Sequence, residues 1–167
     1  MTAVRVGFAG GNSLLDRAIQ KISGGDYADV THAFIFLFSS IAEAEGVKEY
    51  FDPYPGFWLH PSNKYQDSLH VKVLEIDLPD ILAAESEARK LLGTPYSYHG
   101  CLEAAAELVG FDLPTDGDQT VMCSEAITRI LRAGGLPVCP VYKADMVTPV
   151  MLWEDLVKYR GGVECNI

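Results

Sequence analysis

Apolar residues recur along this chain with two different periods, and the switches between them divide it into elements. Over residues 3–8 valines alternate with other residues, the period-two pattern of a short strand, and Gly10-Gly11 then supplies a turn. Leu14, Leu15, Ala18, Ile19 and Ile22 instead recur at helical spacing behind Ser13, with Asp16 three residues on. That pattern predicts a capped helix ending before Gly24-Gly25. Residues 31–38 return to strand character, Ser39-Ser40 reads as a two-residue turn, and residues 41–45 read as the returning strand of a hairpin. Residues 52–67 are rich in proline, aromatic and polar residues with neither period. They predict a long loop, and loops of that length often cover a site. Residues 69–78 alternate again and stop at Pro79.

Helical spacing dominates the second half. Asp80 can cap a helix running to about Leu92, which Gly93 and Thr94-Pro95-Tyr96 bring to an end. A further helix is expected over residues 100–109 and a loop over 110–120. An amphipathic helix then runs from Cys123 to about Ala133 and closes at Gly134-Gly135. Thr148 and Pro149 open a last helix carrying Leu152, Trp153, Leu156 and Val157, which ends near Gly161-Gly162 in a frayed tail. Neither internal repeats nor low-complexity segments interrupt this order, and 167 residues fit one domain, 1–167, able to bury a core without disulfides or metals.

Composition narrows the function classes. Hydrophobic residues make up 49% of the chain and charged residues 22%, values that call for a packed core and exclude a disordered segment. The formal net charge of -10 disfavours nucleic acid and anionic membrane surfaces as partners and mildly favours a cationic or neutral substrate. The first eight residues lack the basic segment and long apolar run of a secretory signal, so a cytoplasmic setting is expected. The longest apolar run, residues 33–38, is far short of the ~20 residues a membrane-spanning helix requires, so integral membrane association is not expected. Cys101, Cys123, Cys139 and Cys165 show no Cys-x-x-Cys spacing, which supports neither a zinc site nor a redox dithiol.

The segment Val121-Met122-Cys123-Ser124-Glu125-Ala126-Ile127 carries the chemistry. It places Cys123 in the first turn of a helix, where unpaired backbone N–H groups and the positive end of the helix dipole stabilise a thiolate. A lone cysteine on a helix is more often packing, so the balance turns on a base. His60, His70 and His99 suit ordinary surface or loop roles. His32 differs because it opens an otherwise apolar strand, where an ionisable ring is costly without partners. A third residue must hold that ring. Strand parity puts Glu43 and Glu45 on the His32 face. With Ser39-Ser40 as the turn, residue 38 pairs with 41 and residue 34 with 45, which sets Glu45 diagonal to His32. Such carboxylates commonly just solvate one face of a hairpin, and both remain candidates.

The Cys123 segment, preceded by Leu92-Gly93-Thr94-Pro95-Tyr96-Ser97-Tyr98-His99-Gly100, resembles the NlpC-type cysteine peptidases. In those enzymes the histidine strand follows the cysteine. Here it comes first, an order similar to the circularly permuted branch of YiiX-like proteins and, more distantly, the lecithin retinol acyltransferase relatives. Gly11-Asn12-Ser13-Leu14-Leu15, Thr31-His32-Ala33-Phe34-Ile35 and Met146-Val147-Thr148-Pro149 extend the likeness over most of the chain. The resemblance implies a permuted papain-like α+β fold, an antiparallel sheet or small barrel packed against helices. It makes Cys123 the nucleophile, His32 the base and Glu43 the orienting residue, with Glu45 its geometric rival, and it lets Tyr96 line the site and donate to substrate or to a developing oxyanion. No metal or organic cofactor is implied. The acyltransferase branch has an Asn-Cys-Glu-His context that Met122-Cys123-Ser124-Glu125 does not reproduce, so hydrolysis of an amide is expected, in a cell-wall-type peptide or an N-acyl amino acid. Acyl transfer by the same thioester route and an inactive binding module are the alternatives.

Overall fold

A buried strand must pair the backbone groups along both of its edges, and the valine-rich N-terminal segment finds a partner strand on each side. A computed structural model describes residues 2–10, 30–45, 55–65, 71–97 and 119–165. Strand β1 (Thr2–Ala9) pairs with β2 (His32–Leu37) on one side and with β5 (Val71–Leu78) on the other. With β3 (Ser40–Glu45), β4 (Gly56–Pro61) and β6 (Val163–Cys165) they form one antiparallel sheet of order β4-β3-β2-β1-β5-β6. The described helices are α1 (Ile81–Leu91), α2 (Cys123–Ala133) and α3 (Pro149–Tyr159). The chain is thus an α+β protein with an antiparallel sheet. No helix among the described residues is long and apolar enough to cross a membrane.

The two faces of the sheet bury different things. Val4, Val6, Phe8, Ala33, Ile35, Leu37, Leu74 and Ile76 share one core with Ala126, Ile127 and Ile130 of α2 and with Leu152, Trp153 and Leu156 of α3. Phe8 meets Trp153 edge to face at 5.1 Å. The opposite face carries a smaller cluster of Ala9, Phe34, Ile41 and Tyr65. Gly7 lies across from Phe34, and a Cβ at Gly7 would sit 2.1 Å from that ring, so the aromatic ring rests directly on bare backbone. Side-chain caps start two of the helices: Asp80 Oδ1 accepts the Ala83 N–H at 3.0 Å and Thr148 Oγ1 accepts the Met151 N–H at 3.2 Å.

Three segments depart from the pattern read in the sequence. The hairpin turn is Phe38-Ser39, not Ser39-Ser40: Leu37 pairs with Ser40, and φ is +54° at Phe38 and +59° at Ser39, the left-handed backbone that a two-residue hairpin turn requires. Neither residue favours it, but Phe38 packs against the main core and Arg89 covers its ring at 4.4 Å, which offsets the strain. Within the segment read as a loop, residues 56–61 form β4. The tail beyond Gly161-Gly162 is not frayed where described, since Val163–Cys165 pairs along β5. The helices expected over 13–22 and 100–109, together with His70, His99 and Cys101, lie outside the described residues.

The outer edge of β4 is stitched to the turn after α1. Phe57 N–H donates to the Thr94 carbonyl (2.9 Å), Gly93 N–H to Phe57 (3.0 Å) and Tyr96 N–H to Pro55 (3.2 Å). A Cβ at Gly56 would come within 2.6 Å of the Thr94 carbonyl oxygen, so only glycine permits this approach. The same turn continues the ladder, with Val121 N–H donating to Pro95 (2.9 Å) and Ser97 N–H to Val121 (3.0 Å), two residues before Cys123.

Candidate active site

Cys123 is the first residue of α2, after an extended Met122 whose N–H donates to Glu125 Oε2 at 3.2 Å. Its side chain is buried, yet its thiol is held below the ordinary range. Burial alone would raise it; hydrogen bonding to His32, the charge of that ring and the backbone N–H groups of Ala33 and Ser124 outweigh the burial. His32 begins β2, at the end of the sheet where α2 starts, because the chain enters its apolar run there.

The imidazole joins two partners. Its Nε2 lies 2.6 Å from Glu43 Oε2, and the ring also interacts with Cys123. Burial opposes the charged ring, but Cys123 and then Glu43 raise its pKa to about 9. Glu43 is fully buried on β3. Its Oε2 also accepts the Tyr65 hydroxyl at 2.7 Å, and its Oε1 accepts Lys64 Nζ at 2.6 Å. Burial pushes this carboxyl up, while His32 and then Lys64 together hold it far below the usual carboxylate range. The Tyr65 phenol is pushed well above its ordinary value by burial and by the nearby Glu43, so it stays a donor, and its ring stacks on Phe34 at 4.4 Å.

Glu45 is held differently. The observed register sets Ile35 opposite Ala42 and, continued, places Glu45 directly across from His32 and Glu43 on the diagonal. The diagonal position expected for Glu45 therefore belongs to Glu43, which takes the ring. Glu45 Oε2 instead lies 2.6 Å from Lys64 Nζ and 3.5 Å from His60 Nε2. Because the register shifts by two residues, both carboxylates keep the His32 face. Tyr96 is half-buried against the main core, and its backbone bridges Val121.

Lys64, Tyr65 and the proximity of His60 were not read from the sequence. The sequence suits His60 to an ordinary surface or loop role; it stands on β4, and its buried Nε2 makes no hydrogen bond among the described residues while lying 3.8 Å from Glu43 Oε1. No local pattern marks Lys64 or Tyr65, since both lie in the turn after β4, inside an aperiodic segment. His32, Glu43 and Glu45 offer metal-ligand atoms all within 4.8 Å of one another, but the Lys64 ammonium already meets both carboxylates there. A cavity of about 460 Å³ opens at the other end of β2, among Arg5, Leu37, Phe38 and Glu85, and includes none of these groups.

No protein-family model matches this chain, and no curated protein matches it. Chemically, the arrangement is a thiol, an imidazole and a carboxylate in series, buried and fixed at a helix N-terminus. Such a series generates a thiolate near neutral pH and can return a proton to a leaving group.

Proposed function

We propose that this protein is a cysteine hydrolase that cleaves an amide bond, built on a permuted NlpC-type papain-like scaffold. The observation that carries this reading is the buried Glu43 carboxylate 2.6 Å from His32 Nε2, with Cys123 at the start of α2 interacting with the same ring so that the thiol is lowered and the ring raised, the directions an ion pair would give. The Cys123 thiolate attacks the substrate carbonyl carbon, and the developing oxyanion is met by the Cys123 backbone N–H and the Tyr96 hydroxyl. The His32 imidazolium gives its proton to the leaving amine as the C–N bond breaks, leaving a thioester. Water, deprotonated by the neutral ring, then attacks the thioester, and sulfur departs as the thiolate. Glu43 keeps the ring oriented and stabilises its charge throughout. The substrate is a small peptide of cell-wall type or an N-acyl amino acid, and no step calls for a metal or organic cofactor.

The test is residue-resolved iodoacetamide alkylation across about pH 5 to 9 in wild type and His32→Ala, given that an unperturbed thiol titrates near ~8.5. Cys123 should react fast at low pH and lose that reactivity without His32. A Cys123 no more reactive than the other thiols would leave a folded, inactive binding module instead. With a substrate found among amides, thiol alkylators should abolish turnover and chelators should not.

A further inference from the structure

Glu43 and Glu45 lie two residues apart on one face of β3, and both are buried. Two carboxylates so placed cannot both ionise without a countercharge; one would hold a proton near neutral pH. A protonated Glu43 would be a poor partner for an imidazolium. Lys64 resolves this with one ammonium, 2.6 Å from Oε1 of Glu43 and 2.6 Å from Oε2 of Glu45. The division of oxygens matters, since Lys64 takes Oε1 of Glu43 and leaves Oε2 to His32 and Tyr65.

We propose that Lys64 is a positioning residue of the hydrolase, the shared counter-ion that keeps Glu43 ionised and turned toward His32 while holding Glu45 out of the series. This rests on the hydrolase reading. The other described titratable groups in this network are His32 on β2, Cys123 on α2, His60 on β4 and Tyr65 beside Lys64. Among Cys123, Glu43, Glu45, His32 and Lys64, the reactive form carries three negative charges and two positive ones. Removing Lys64 alone adds one net negative charge beside the thiol and makes its deprotonation harder. Removing the charge of Glu45 as well restores the balance.

The experiment compares the pH profile of Cys123 alkylation in wild type, Lys64→Arg, Lys64→Met, Glu45→Gln and the Lys64→Met/Glu45→Gln double variant. Lys64→Met should move the acid midpoint up by about one pH unit, a loss of roughly tenfold in rate on the acid limb. Lys64→Arg should stay close to wild type, and the double variant should return to within about twofold of it. An unchanged Lys64→Met profile, or a double variant no better than the single one, would overturn the proposal and leave Lys64 a structural post. Should Lys64→Met fail to fold, Glu45→Gln decides: with Lys64 committed to Glu43 alone the midpoint must fall, and an unmoved midpoint overturns the proposal. A wild-type thiol with no His32 dependence is a different result, because it sinks the hydrolase reading itself.

Discussion

Glu43 and Glu45 have the same chemistry and nearly the same burial, yet only Glu43 hydrogen-bonds to the imidazole, because the register puts it on the diagonal from His32. Glu43→Gln should therefore lower the hydrolysis rate on the order of 10³-fold, and Glu45→Gln far less, as kcat/KM on one amide substrate would show. Glu43→Gln should also cost about 3 kcal/mol at neutral pH, since it strips a partner from a buried ion-pair network. The sign of the pH dependence follows from its lowered carboxyl. Its contribution is present above the ordinary value of 4.5 and is lost as pH falls through the folded value, so urea unfolding should show wild type and Glu43→Gln converging in acid. Turnover should decline as pH rises through about 9, where the His32 ring gives up the proton that the leaving amine needs. His32 and Cys123 were legible in the sequence because each is out of place, an ionisable ring opening an apolar strand and a thiol in a helix's first turn. Lys64 and Tyr65 were not, because their roles exist only once β4 brings the following turn over β3.

The elements themselves were readable wherever one period persisted, as in β1, β5 and the three described helices. The errors have local physical causes. Phe38-Ser39 carries no glycine or asparagine to announce left-handed backbone, β4 mixes glycine, tryptophan, histidine and proline without alternation, and β6 is only three residues long. Relieving the turn at its solvent-facing position should help: Ser39→Gly should stabilise the protein by about 0.5–1 kcal/mol, read as a higher urea midpoint. Gly7→Ala makes the opposite prediction. Its methyl group would press on the Phe34 ring, against which Tyr65 stacks to reach Glu43. The variant should lose about 1–3 kcal/mol, and low-pH alkylation of Cys123 should fall with it although the substituted residue touches none of the three reacting groups.

Across the whole molecule, the net charge of -10 sets a field that any substrate must cross. Of two matched amides, one carrying a lysine and one a glutamate, the cationic one should have the higher kcat/KM, and the difference should shrink from low to physiological ionic strength as screening sets in. The same scale holds the site together. From His32 the backbone bonds run through β3 and β4 to the turn at 93–96 and on to Val121, whose chain leads into Cys123, while α2 packs back onto β2. Cys123 and His32 thus belong to one closed circuit. The amides of Phe57, Gly93 and Val121, far apart in sequence, should exchange with solvent through a common opening, and thiol reactivity should vanish in the same denaturant range that releases them.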